Sequence, residues 1–236
     1  MGNHQIKQLK MACIFCKSEL KNIERAKCAA DHSDLLIAVD GGTKHLTALG
    51  LKPDILVGEI DTDAPNETLK GSGIVRIPCP PDKNKSDVEA AVQYAFEQGC
   101  EQVVLLAAIG DRLDYTLKNV ALAARYPGRL AIIDGTATLV AVDRSERCML
   151  HGEVGSVVSL IPYGPGRPKV RTKGLKYSLE DEPLAFVTQG LSNELSQAEA
   201  CVCVSEGILL VYIDSGEVCP ERLYEQNKEK GKVKNC

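Results

Sequence analysis

The sequence predicts an α/β fold: an N-terminal parallel-sheet domain followed by a smaller antiparallel β-sandwich domain. Two patterns predict it. Through residues 1–144 short continuous apolar runs alternate with helical stretches, as buried parallel strands and their crossover helices do. From about residue 137 β-type runs follow one another with glycine and proline between them and no helical stripe. That spacing suits a sandwich of roughly 70 to 90 residues. A third observation bears on what the sheet is for. Three of the apolar runs end in acids and glycines: 35–39 runs into Asp40-Gly41-Gly42, 55–57 into Gly58-Glu59-Ile60-Asp61, and 103–109 into Gly110-Asp111. In an open parallel sheet, ligands bind just beyond the carboxyl ends of the strands.

Each element has its own signature. The run 11–15 is the first strand, and 19–28 is polar with helical spacing. The strand 35–39 leads into a helix over 42–49, stopped by Gly50 and Pro53. A strand at 55–58 follows, then a polar loop and a strand over 73–77, after which Pro78, Pro80 and Pro81 break the chain. The helix 87–98 is the best signed. Ser86 with Glu89 three residues on makes a capping box. Val88, Ala91, Val92, Ala95 and Phe96 make one apolar stripe, and Gly99 terminates it. After a strand at 102–107, a helix over 113–125 places Leu113, Leu117, Val120, Ala121 and Ala124 on one apolar face and ends at Pro127-Gly128. The run 130–133 is a further strand, and β-type runs follow at 137–142, 147–150, 157–161, 169–172, 200–204 and 208–213. The expected domains are 1–144 and 145–220, with a charged tail over 221–236.

Composition narrows the function classes. In 236 residues, hydrophobic content of 44% and charged content of 25% are ordinary for a globular protein. A net charge of −4 gives no reason to expect nucleic acid, whose binders carry a basic patch. No apolar stretch approaches the roughly 18 residues of a membrane span, and residues 1–10 lack a signal-peptide apolar core. The expected location is the cytoplasm. There a disulfide framework is not expected, and most of the ten cysteines fall inside apolar runs as small hydrophobes. Cys13 and Cys16 have the spacing of a redox pair, but they overlap the first strand and read as two packed thiols.

Asp40, Glu59, Asp61, Asp82, Asp87, Asp111 and Asp114 all fall at strand ends or helix starts. One such acid alone is a cap or turn residue. Acids from three strand ends on one sheet edge repel one another unless a cation joins them. Hard oxygen ligands suit Mg²⁺, which in turn suits a polyphosphate, and the glycines admit backbone close to a bulky anion. Ser86 and Asp87 also fit as a cap and as an acid in the favourable first turn. Arg112, Tyr115 and Asn119, at i, i+3 and i+7, share a helix face. An Arg at a helix start opposes the macrodipole. Either its planar fork binds a phosphate, or it pairs with Asp111 or Asp114. The standard nucleotide signatures G-x-G-x-x-G and G-x-x-x-x-G-K-[ST] are missing. His4, His32, His45 and His151 show no ligand spacing, and no Ser–His or Cys–His pairing is legible, so nothing supports covalent catalysis.

At this point an ordered set of motifs resembles a known family. Asp40-Gly41-Gly42, Lys52-Pro53-Asp54 before Gly58-Glu59-Ile60-Asp61-Thr62, Asp82-Lys83-Asn84-Lys85-Ser86-Asp87, and Gly110-Asp111-Arg112-Leu113-Asp114-Tyr115-Thr116-Leu117-Lys118-Asn119 look like thiamin pyrophosphokinase. The second domain adds Gly174-Leu175-Lys176-Tyr177, Glu182-Pro183-Leu184, Gly190-Leu191-Ser192-Asn193-Glu194 and Glu206-Gly207-Ile208. The likeness runs in order over about residues 35–213. It implies transfer of a diphosphate group from ATP to the hydroxyl of thiamin, giving thiamin diphosphate and AMP. It also implies a homodimer with sites shared between subunits.

The resemblance further implies roles. Asp40, Glu59, Asp61 and Asp87 would surround Mg²⁺ and the phosphates. Gly41, Arg112, Asp114, Tyr115 and Asn119 would lie at ATP. Ser192 and Asn193 would meet the thiamin pyrimidine, with Tyr177 stacked on thiamin. Asp61, Asp87 and Arg112 would carry the chemistry, Arg112 spreading developing charge and either acid accepting the hydroxyl proton. Three positions depart from the family pattern: Glu59 where Asp is usual, Asn84 where Asp is common, and Tyr115 where His is usual. Two other readings use the same residues. One is a related Mg²⁺-dependent nucleotide transferase, and the other is a non-catalytic protein that binds thiamin or a nucleotide.

Overall fold

The apolar runs of the first half assemble side by side, because a strand that is apolar on both faces needs a sheet covered twice. The computed structural model describes residues 11–58, 73–77, 85–110, 112–145, 147–186 and 189–215. Strands β1 (Met11–Phe15), β2 (Leu35–Val39), β3 (Ile55–Val57), β4 (Val75–Ile77), β5 (Gln102–Leu106) and β6 (Leu130–Asp134) pair in parallel. Their order is β6-β5-β1-β2-β3-β4. The chain builds outward from β1 to β4, then returns to lay β5 on the other edge of β1. That reversal opens a crevice beyond the carboxyl ends of β1 and β5.

Helices α1 (Ile23–Asp31) and α2 (Thr43–Ala48) cover one face of this sheet, setting Ala26, Ala29, Ala30 and Leu46 against Cys13, Phe15, Ala38 and Leu106. Helices α3 (Asp87–Glu97) and α4 (Leu113–Arg125) cover the other face, setting Val88, Ala91, Val92, Ala95 and Leu122 against Ala12, Ile14, Ile37 and Leu105. Helix α1 starts later than its polar pattern suggests because Asn22 caps it, its Oδ1 accepting from Arg25 N at 3.0 Å. Arg25 is buried. Its Nη1 donates to the carbonyls of Gly135 and Ala137 at 3.2 and 3.1 Å, and its Nη2 donates to Thr138 Oγ1. Ser86 caps α3 as expected, its Oγ accepting from Glu89 N at 3.2 Å.

The apolar face predicted for residues 113–125 is corrected. Leu113 and Leu117 are 67% and 59% exposed, while Asn119, Leu122, Ala123 and Ala124 are buried. The rotation has two causes. Asn119 Nδ2 donates to the Ala108 carbonyl at 2.8 Å, which satisfies a buried acceptor. The small Ala124 lets the helix approach Ala141 and Leu210.

Beyond β6 the same sheet continues antiparallel through β7 (Ala137–Val142), β14 (Ile208–Asp214), β9 (Val157–Tyr163) and β12 (Asn193–Glu194), making ten strands. A second sheet has four strands in the order β11 (Glu180–Pro183), β10 (Lys169–Lys173), β13 (Glu199–Glu206), β8 (Arg147–His151). It packs face to face on the antiparallel half, with Val140, Leu150, Leu160, Val170, Val202 and Val211 in the shared core. This is the expected sandwich. The sequence reading lacks β11 and β12, since the first is an exposed acidic edge and the second only two residues long.

Cys13, Cys16, Cys28, Cys100 and Cys148 are in no disulfide. The Sγ atoms of Cys201 and Cys203 lie 3.7 Å apart, beyond the length of a disulfide between them. Among the described residues no helix is long and apolar enough to cross a membrane. Glu59, Asp61, Asp82, Asn84, Asp111 and the tail 221–236 lie outside the described residues.

Candidate active site

A cleft of about 480 Å³ occupies the crevice where the strand order reverses. The segment after β1 gives it Cys16, Lys17, Ser18 and Glu19, the end of β2 gives Asp40, the segment after β5 gives Ala107, Ile109 and Gly110, and α4 gives Tyr115 and Asn119 with Arg112 at its start. The walls are fixed by backbone bonds. Cys16 N donates to the Leu106 carbonyl at 2.9 Å and Ser18 N to the Ala107 carbonyl at 3.1 Å. From α2, Lys44 Nζ donates to the Lys17 carbonyl at 3.0 Å and His45 Nε2 to the Ser18 carbonyl at 2.7 Å. The turn after β2 lies so close to β1 that a Cβ on Gly42 would stand 2.0 Å from the Phe15 carbonyl oxygen. Burial lowers the pKa of His45, with the charge of Lys44 acting in the same direction and the Ser18 carbonyl opposing it. Burial pushes the Cys16 thiol up to about 12, and the Asp40 carboxylate adds to the rise. Cys13 is raised as well by burial. Neither is a reactive thiolate.

Asp40 has a φ of +49°, a left-handed conformation at the end of β2. Its carboxylate meets that of Asp87, the first residue of α3, over Gly58 at the end of β3. A Cβ on Gly58 would lie 2.3 Å from Asp40 Oδ1 and 3.0 Å from Asp87 Oδ2. A methyl there would push the two carboxylates aside, and the φ of +91° asks for glycine. Two of the acids predicted to share a site therefore do meet. Glu59 and Asp61 follow Gly58 in the chain. Among the described residues no three His, Cys, Asp or Glu side chains group as a metal site. The donors that do converge are hard carboxylate oxygens over a space kept empty of side chain, and this fits Mg²⁺.

Arg112 takes one of the two partners the sequence offers it, Asp114. Its fork grips Asp114, with Nε to Oδ1 at 3.1 Å and Nη2 to Oδ2 at 2.5 Å. That bond lowers the pKa of Asp114 and raises that of Arg112. The guanidinium also lies 4.4 Å from the Tyr115 ring centre. Asn119 lines the cleft, but its amide is spent on the Ala108 carbonyl, so it positions the segment after β5. Gly41 is buried in the turn after Asp40.

A second cluster stands at the far edge of the large sheet. Asn193 is buried, and its side chain clamps Tyr177: Oδ1 accepts from Tyr177 N at 3.0 Å and Nδ2 donates to the Tyr177 carbonyl at 2.8 Å. The Tyr177 ring is thereby presented to solvent, 62% exposed. Ser192 is held with φ +53° and its N–H on Ser159 Oγ at 3.2 Å. Tyr177 and the Ser192-Asn193 pair, distant in sequence, are thus brought together. Six strand spacings separate β12 from β1, about 29 Å at ~4.8 Å each.

Residues 26–133 match the family model for the thiamin pyrophosphokinase catalytic domain, and residues 140–209 match the thiamin pyrophosphokinase vitamin B1 binding domain. The chain belongs to the thiamin pyrophosphokinase family. A thiamine pyrophosphokinase of Bacillus subtilis is 24% identical over 192 residues, covering 77% of this chain and 87% of the relative. Thiamine pyrophosphokinase 1 of Arabidopsis thaliana is 22% identical over 207 residues, covering 76% and 78%. Among solved structures, the thiamin pyrophosphokinase of Geobacillus thermodenitrificans superposes with a TM-score of 0.72 at 26% identity, over 87% of this chain and 97% of that one. The Bacillus subtilis structure gives 0.75 at 20% identity, over 87% and 99%. The family transfers the diphosphate group of ATP to thiamin, and the cleft residues from Val39 to Asn119 fall within the stretch matched to its catalytic domain. The sequence reading missed Lys17, Ser18 and His45. The first strand ends in neither acid nor glycine, so its contribution shows only once the strand order is known.

Proposed function

We propose that this chain carries out its family's reaction with residues 1–144 holding Mg²⁺ and ATP and residues 145–220 holding thiamin. The observation that carries the reading is the meeting of Asp40 and Asp87 over Gly58 at the carboxyl edge of the sheet. Asp40, Asp87, Glu59 and Asp61 would hold Mg²⁺, which when bound offsets charge on the phosphates. Arg112 exchanges Asp114 for a phosphate, since carboxylate and phosphate offer the same fork-shaped acceptor. Tyr115 packs beside it. Asn119 keeps the wall after β5 in place. Tyr177 stacks on thiamin, with Ser192 at its edge and Asn193 fixing the ring. Asp61 or Asp87 takes the proton of the attacking hydroxyl. The work is positioning and charge neutralisation.

The separation of the two clusters supports a homodimer. Reacting atoms must come within about 3–3.5 Å, and one chain sets its half-sites about 29 Å apart across the sheet. A second copy presenting its Tyr177 surface to this cleft completes the site, and exposed Leu113 and Leu117 offer apolar area beside it. The purified chain incubated with ATP, Mg²⁺ and thiamin is expected to release AMP and thiamin diphosphate. Absence of both products overturns the reading. Asp61→Asn at an unchanged rate overturns the metal assignment.

A further inference from the structure

We propose that Lys17 is a substrate-contacting residue whose ammonium binds the polyphosphate of ATP. This rests on the reading of the cleft as the ATP site. Among the described residues three cations line the cleft: Lys17, Lys21 and Arg112. Lys21 is held by Asp134 at 2.6 Å, and Arg112 is held by Asp114. Lys17 makes no ion pair with a described residue, and its Nζ rests 5.3 Å from the centre of the Tyr115 ring. A cation over an exposed ring is weakly held, so a phosphate oxygen displaces that contact readily.

The backbone of Lys17, by contrast, is fixed on both sides. Its own carbonyl accepts from Lys44, the next carbonyl accepts from His45, and Ser18 N is bound to Ala107. The result is an exposed charged arm on an anchored root, in the segment after β1 and lining the same cleft as Asp40. An anion bound at paired carboxylates needs positive charge beyond that of the metal, and Lys17 supplies it as a point charge with three donors. Nothing in the sequence marks this position, since neither a glycine-rich loop nor an acid precedes it.

The test compares wild type with Lys17→Met and Lys17→Arg. The readouts are the Kd for Mg·ATP by titration calorimetry, and kcat and KM for ATP and for thiamin. Lys17 is exposed, so both variants are expected to melt with the wild type. Lys17→Met is expected to raise the Kd and KM for Mg·ATP about tenfold, as loss of a charge-assisted hydrogen bond does. The thiamin KM stays within about twofold, and Lys17→Arg recovers most of the loss. An Mg·ATP Kd for Lys17→Met within about twofold of wild type overturns the assignment, as does equal weakening of ATP and thiamin. If the wild type forms no thiamin diphosphate while the Mg·ATP Kd still differs about tenfold between the two chains, the proposed function falls and Lys17 stands. If the wild type turns over and the two Kd values agree, Lys17 falls and the function stands.

Discussion

A mixture of two inactive variants is expected to regain activity. Asp40→Asn removes charge from the acid cluster and keeps a residue that tolerates the left-handed backbone at φ +49°. Tyr177→Ala removes an exposed ring at the other cluster. Each alone is expected to fall by about 10- to 10²-fold at limiting thiamin, as the loss of one preorganised electrostatic group or one stacked ring does. Six strand spacings separate β12 from β1 within a chain, so in the proposed homodimer each working site draws Asp40 from one copy and Tyr177 from the other. In an exchanged equal mixture about half the dimers are mixed, and each mixed dimer keeps one intact site of its two. Activity therefore returns to about a quarter of wild type. The assay is formation of thiamin diphosphate before and after exchange, with the mixed dimers isolated through two different affinity tags. Mixed dimers no more active than their parents would refute shared sites.

Gly58→Ala is expected to cost about 1–2 kcal/mol in denaturant titration, because φ is +91° there. It should also cut activity by tenfold or more, since the new methyl displaces Asp40 and Asp87. Wild-type stability with lost activity would place the strain elsewhere. His45 gives a pH signature. Its folded pKa lies below the usual 6.5, so its neutral form contributes stability above that value, and this is lost as pH falls through the folded pKa. The melting temperature of wild type is expected to fall more steeply between pH 7 and 5 than that of His45→Gln. Parallel slopes would remove His45 from the account.

What the sequence made legible was whatever depends on local pattern. Continuous apolar runs such as 35–39 and 103–106 read as doubly buried strands because they are buried on both faces. Ser86, Glu89 and Gly99 marked α3 because a cap is a property of neighbours in sequence. The face of α4 was misjudged because Asn119 goes inward to satisfy a carbonyl eleven residues back, and a hydropathy pattern assigns every amide to solvent. Arg112 was ambiguous for a related reason. Asp114 and a phosphate satisfy the same fork, and only coordinates show that Asp114 holds it. Tyr177 and Asn193 were identified by resemblance, yet the clamp between them depends on a register of strands that no spacing encodes.

The acids of the cleft and its backbone strain are one device. The chain takes positive φ beyond the carboxyl ends of β2, β3 and β5: Asp40 at +49°, Gly58 at +91° and Ala107 at +51°. Non-glycine residues there cost about 1–2 kcal/mol each. That cost is offset locally, since the Ala107 carbonyl accepts from Ser18 N and the residues before each turn are core. A strand that ran straight would carry its next side chain along the sheet edge. Reversing φ at the last residue turns Asp40 across to Gly58 and Asp87, and at Ala107 turns the carbonyl to the segment that carries Lys17. The geometry that draws charged groups into one cleft is therefore set by three backbone torsions, of which only the one at Gly58 had a residue type that could announce it.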